Sequence, residues 1–115
     1  MRLCLQVLVR RPRSKPVAVS DGQPALGSNL KLLDKALAKA GLRPLSDFLP
    51  ADPAGGDWFP ATDGLAAVTA AAEYLEATPL ALPWSDIAVR ELSSVGSELA
   101  PAAAEGYRFR FALAR

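Results

Sequence analysis

Residues 107–114 read Tyr-Arg-Phe-Arg-Phe-Ala-Leu-Ala, and the alternation in this stretch decides the fold. Tyr107, Phe109, Phe111 and Leu113 share one parity, while Arg108, Arg110, Ala112 and Ala114 share the other. That period of two is the signature of a strand with one buried face. At the opposite end of the chain, residues 2–10 repeat it. Leu3, Leu5, Val7 and Val9 alternate there with Arg2, Cys4, Gln6, Leu8 and Arg10. Two amphipathic strands at the chain ends are most simply satisfied by joining one sheet, with the segments between them covering its apolar face.

The intervening sequence supplies helices. A basic, turn-rich connector, Arg11-Pro12-Arg13-Ser14-Lys15-Pro16, leads to Val17-Ala18-Val19, a short second strand that can pair back on the first. Asp21-Gly22-Gln23-Pro24 and Gly27-Ser28 carry loop chemistry. After a Ser28 or Asn29 cap, the stripe Leu30, Leu33, Leu37 and Ala40 predicts a helix over 29–40, stopped by Gly41. A second helix is expected over 61–77, with Leu65, Val68, Ala72 and Leu75 inward and Pro79 beyond its end. The third starts near Ser85, which with Asp86 offers a capped, acidic first turn. Pro101 should kink or divide that helix before Gly106 closes it. Residues 42–60 hold four Pro, a Gly pair, Phe48, Trp58 and Phe59, too apolar for a mere linker. The expected architecture is a single α+β domain over 1–115. Its two- or three-stranded sheet, built from the chain ends, is covered on one face by three helices.

Charge is segregated along this chain. Residues 1–43 hold nine Lys and Arg against two acids, 44–107 hold one Arg against ten acids, and 108–115 add three Arg and no acid. The near-zero total therefore hides blocks of +7, −9 and +3. If the ends meet in space, a basic patch lies beside an acidic body, which bears on partners rather than on chemistry. Cys4 is the only cysteine and there is no His, so neither an intramolecular disulfide nor the usual zinc ligand sets can be assembled. The apolar run Leu3 to Val9 is short, contains Gln6 and ends in Arg10-Arg11, which makes a poor signal peptide. No window reaches the roughly 20 apolar residues of a membrane span. A soluble, cytoplasmic protein is expected, and the abundance of Ala, Pro, Leu and Arg fits a GC-rich bacterial genome.

Three constellations are candidates for function. Pairing of the terminal strands would gather Arg2, Arg10, Arg11, Arg13, Lys15, Arg108 and Arg110 into a basic face opposite the core. Such a face suits an anionic partner, though charge on a sheet also guards its edges against aggregation. Sheet-based RNA readers stack bases on exposed aromatics. Here the strand aromatics share the parity of the core, so nucleic acid is the second reading. Next, Trp58 and Phe59 lie beside Asp57 in a long loop that also carries Phe48, Asp52 and Asp63. They read as a plug docking the loop onto the core, or as binding anchors with an acidic rim. Trp84, before the third helix, reads as a staple on its first turn. Finally, Asp47, Asp52, Asp57 and Asp63 lack the ligand spacing of a calcium loop. No metal and no cofactor is expected. Neither a phosphate-binding glycine loop nor a nucleophile with its base is recognisable, so an enzyme is not expected.

The segments Pro44-Leu45-Ser46-Asp47-Phe48, Asp57-Trp58-Phe59, Gly64-Leu65-Ala66-Ala67-Val68 and Glu105-Gly106-Tyr107-Arg108-Phe109 occur in that order. They resemble a group of small bacterial proteins with an LSDF turn, a WF pair opening a helix and a terminal GxRF strand. The resemblance covers roughly residues 30–111 and implies no activity. The group tends to place an acid where this chain has Pro60, and its last helix usually lacks a proline such as Pro101. The expectation is a non-enzymatic protein-interaction module, an adaptor or immunity-type inhibitor, with homodimer formation as one way to cover the sheet edge. A nucleic-acid-associated protein using the arginine face is the alternative.

Overall fold

The two alternating termini pair with each other. A computed structural model of the protein describes residues 3–13, 15–19, 22–50 and 57–114. In it, strands β1 (Cys4–Arg10), β2 (Val17–Ala18), β3 (Phe59–Pro60) and β4 (Arg108–Ala114) form one sheet in the order β2-β1-β4-β3. All three pairings are antiparallel. β1 and β4 match along their whole length, from Cys4 opposite Ala114 to Arg10 opposite Arg108. Leu5, Val7, Val9, Phe109 and Phe111 are buried together, as the period of two requires.

The sheet has four strands where two or three were expected. The additional strand is β3, in which Phe59 lies opposite Phe109 and Pro60 opposite Arg108. Two residues ending in proline carry no alternation to recognise, and an edge is where a strand proline is tolerated.

Four helices connect the strands: α1 (Pro24–Ser28), α2 (Leu30–Lys39), α3 (Ala61–Ala77) and α4 (Ser85–Ala104). α2 keeps the expected stripe, with Leu30, Leu33 and Leu37 buried, and α3 has the expected bounds. α1 was expected to be loop. It forms because Pro24 presets the first turn and because α4 reaches across to cap it. The Glu91 carboxylate accepts the N–H groups of Ala25 and Leu26 at 3.2 and 2.9 Å. Asn29 does not cap α2 with its side chain; its Nδ2 donates back to the Ala25 carbonyl at 3.0 Å. Nor does Ser85 cap α4. Its hydroxyl lies 2.8 Å from the carbonyls of both Pro79 and Leu82, closing the turn that precedes the helix.

Pro101 neither divides α4 nor ends it. It falls in the last turn, where the hydrogen bond it forfeits would go to Ser97, an exposed residue that water can serve. The helix stops instead at Gly106, whose φ of 70° takes the left-handed conformation. Tyr107 N–H then reaches the Ala102 carbonyl at 2.9 Å and Gly106 N–H that of Ala103 at 3.1 Å. These are the two bonds of a Schellman cap.

α3 and α4 pack side by side over the buried sheet face. α3 approaches so closely at Gly64 that a Cβ there would overlap the Phe109 ring. Beside it, a 3-10 turn over Leu45–Phe48 inserts Leu45 and Phe48 into the core. Asp34 on α2 holds this turn in place by accepting the Leu45 N–H at 2.8 Å. Phe48 packs on Phe59, Phe109 and Phe111 with ring centroids 5.5, 5.1 and 5.8 Å away. Aromatic pairs at such separations contribute about 0.5–1.5 kcal/mol each beyond the area they bury.

Candidate functional site

One parity of the sheet faces the helices; the other is at least partly accessible over Cys4, Gln6, Leu8, Arg10, Arg108, Arg110 and Ala112. The pairing of Arg10 with Arg108, and of Leu8 with Arg110, sets two rows of this open face side by side. The basic residues expected to gather do so. Arg10, Arg11, Arg13, Lys15 and Arg108 line one cleft at the end of the sheet, and Arg110 lies one row away. Arg2 is outside the described residues.

β3 adds what the strand parities alone did not reveal. Because Phe59 faces the core opposite Phe109, its neighbour Trp58 falls on the open face with Pro60 and beside Arg110. The Arg110 guanidinium lies 4.4 Å from the centre of the Trp58 ring, and that of Arg10 lies 5.7 Å from the same ring. Arg108 adds a hydrogen bond to the Trp58 carbonyl at 3.3 Å. Each cation–aromatic contact at a partly exposed position contributes about 0.5–1 kcal/mol. Their larger consequence is orientation. A guanidinium stacked on an indole loses rotamer freedom, which fixes the direction of its N–H fork.

The described part of the proposed aspartate loop divides between core and surface, and residues 51–56 lie outside the described residues. Phe48 is wholly buried and is a core residue rather than an exposed anchor. Arg43 covers it, 4.3 Å above the ring, and pairs with Asp47 at 3.3 Å. Phe59 is half-buried and belongs to the same aromatic cluster, so this half of the Trp-Phe pair acts as the plug. Trp58 is equally half-buried, but on the arginine side of the sheet, where Arg110 and Arg10 stack on its ring. Asp57 and Asp63 are exposed, Asp63 in the first turn of α3 where an acid suits the helix dipole. Asp52 lies outside the described residues. Trp84 is half-buried against the core at the start of α4, consistent with a staple.

Among the described residues, no three Cys, Asp or Glu side chains come together to hold a metal ion. No helix among them is long and apolar enough to cross a membrane. On the β3 side, Phe111 and Leu113 extend past the short edge strand, beside Leu49 and Pro50 in a small groove. Comparison of the chain with family models, curated proteins and solved structures gives no match. The reading of this face therefore rests on its own chemistry.

Proposed function

We propose that the protein is a non-enzymatic interaction module that docks an acidic protein partner on its open sheet face. The observation that carries this reading is the stack of Arg110, with Arg10 beside it, on Trp58. Trp and Arg are the residues that dominate binding energy at protein interfaces, and here they are held in register by the sheet beneath them. Half-buried Leu8 sits in the row of Arg110 and gives the patch an apolar centre. The complementary partner has carboxylates around an apolar patch. Relative to the loop reading, the same Trp58 serves, but its rim is arginine rather than aspartate.

A second reading is favoured by the same strand. Trp58 supplies the open face with an aromatic platform among phosphate-binding cations, the element that single-stranded nucleic acid requires. One platform already covered by Arg110 supports it less well than it supports carboxylate recognition.

The test is capture of partners by tagged protein at low salt, with and without nuclease, comparing the native chain with Trp58→Ala and with R10E/R108E by quantitative mass spectrometry. A defined protein that survives nuclease and is lost from both variants supports docking. Nuclease-sensitive recovery, steeply weakened by salt, moves the reading to nucleic acid. Recovery of the bait alone leaves self-association through the β4 edge beyond its pairing with β3 among the described residues.

A further inference from the structure

The turn between β1 and β2 faces the turn between α4 and β4 across an open cleft of about 730 Å³. Arg11, Arg13 and Lys15 come from the first turn and Tyr107 from the second, while Arg10 and Arg108 are the paired strand ends between them. None of the five cations forms an ion pair with another described residue, and Glu105 is the one acid among the lining. Like charges brought around one space repel each other, and an anion in that space relieves the repulsion. The backbone points the same way. Arg13 is the one described residue other than glycine with a left-handed backbone, at φ 61°. A long side chain in that region is uncommon and clusters at ligand clamps.

The charge density selects the ligand. Carboxylates on a protein surface arrive singly, at side-chain spacing. A phosphoryl chain sets several charges on adjacent groups, each with oxygens that fit the guanidinium fork. The volume lies within the range of small-ligand sites, about 300–1,000 Å³. We propose that this cleft binds an oligophosphate, a chain of two or more phosphoryl groups, free or as the tail of a nucleotide. Recognition runs through the chain: Arg11, Arg13 and Lys15 take its far end and Arg108 and Arg10 its near end. The cleft shares Arg10 and Arg108 with the docking face but does not include Trp58 or Arg110, so the two readings fail separately.

Isothermal titration of the full chain at low salt with inorganic tripolyphosphate, adenosine triphosphate, adenosine monophosphate and a short oligodeoxythymidine tests the site. Tripolyphosphate and the triphosphate should bind with similar affinity, and the monophosphate at least about tenfold more weakly as charge is lost. R11E/R13E changes only exposed side chains and should weaken tripolyphosphate by about tenfold or more while leaving the melting temperature in place. Glu105→Gln, which removes the acid on the cleft's own lining, should tighten it about twofold to threefold. Trp58→Ala, which releases Arg10 from its stack but keeps all five cations, should weaken it by no more than about threefold. Absence of tripolyphosphate binding, equal binding by R11E/R13E, or binding of the oligonucleotide alone overturns the proposal. The last outcome would assign the cleft to a nucleic-acid strand.

Discussion

Trp58 and Phe59 are neighbours in sequence and lie on opposite faces of one sheet. Phe59 enters the cluster of Phe48, Phe109 and Phe111, where its ring packs on those of Phe48 and Phe109 beside α3. Trp58 meets Arg110 and Arg10, with solvent beyond. Residue type does not separate the two, since both are large aromatics ahead of the same helix. The face to which each is assigned separates them, and a strand only two residues long makes the assignment. The core face carries the packing and, on the proposed reading, the open face carries recognition, so substitutions on the two should differ in what they damage.

The largest expected effect is on the core side. Phe48→Ala removes the ring that three others contact, and urea denaturation should show a loss of about 3–5 kcal/mol. Gly64→Ala comes next. Its Cβ would overlap the Phe109 ring, so about 1–3 kcal/mol should be lost, and combining it with Phe109→Leu should recover part of that in a double-mutant cycle. Glu91→Ala leaves the N–H groups of Ala25 and Leu26 without their acceptor. The cost should be about 1 kcal/mol, because α1 is partly accessible to water, and hydrogen exchange should rise in α1 before it rises in α3. On the open face, Trp58→Ala removes two cation–aromatic contacts and should cost no more than about 1–2 kcal/mol while abolishing partner capture. A comparable loss of stability from Trp58→Ala and Phe48→Ala would erase the distinction between the faces.

Long-period features were legible in the sequence. The parities of 2–10 and 107–114 place every buried side chain of β1 and β4 correctly, and the apolar stripes locate α2, α3 and the start of α4 within a residue or so. The missed elements are short and were decided by tertiary contacts. α1 has five residues and needs a carboxylate from α4. β3 has two residues and needs the edge of β4. Pro101 was misread because its cost depends on what the proline deprives, and Ser97 faces solvent. The site divides in the same way. The cations that gather were visible as a charge block, whereas the burial of Phe48 and the face taken by Trp58 were not. A lone Phe in a proline-rich segment has no periodicity, and Trp58 takes its face from the register of β3.

The measurement that bears most directly on this division compares R10E/R108E with the native chain in two experiments on the same preparation, thermal unfolding and nuclease-treated partner capture. The account predicts that the melting temperature stays within a few degrees, since exposed charges contribute little to stability, and that the captured partner is lost. Retention of the partner by a variant that melts normally would contradict the claim that the arginine face is the one that binds.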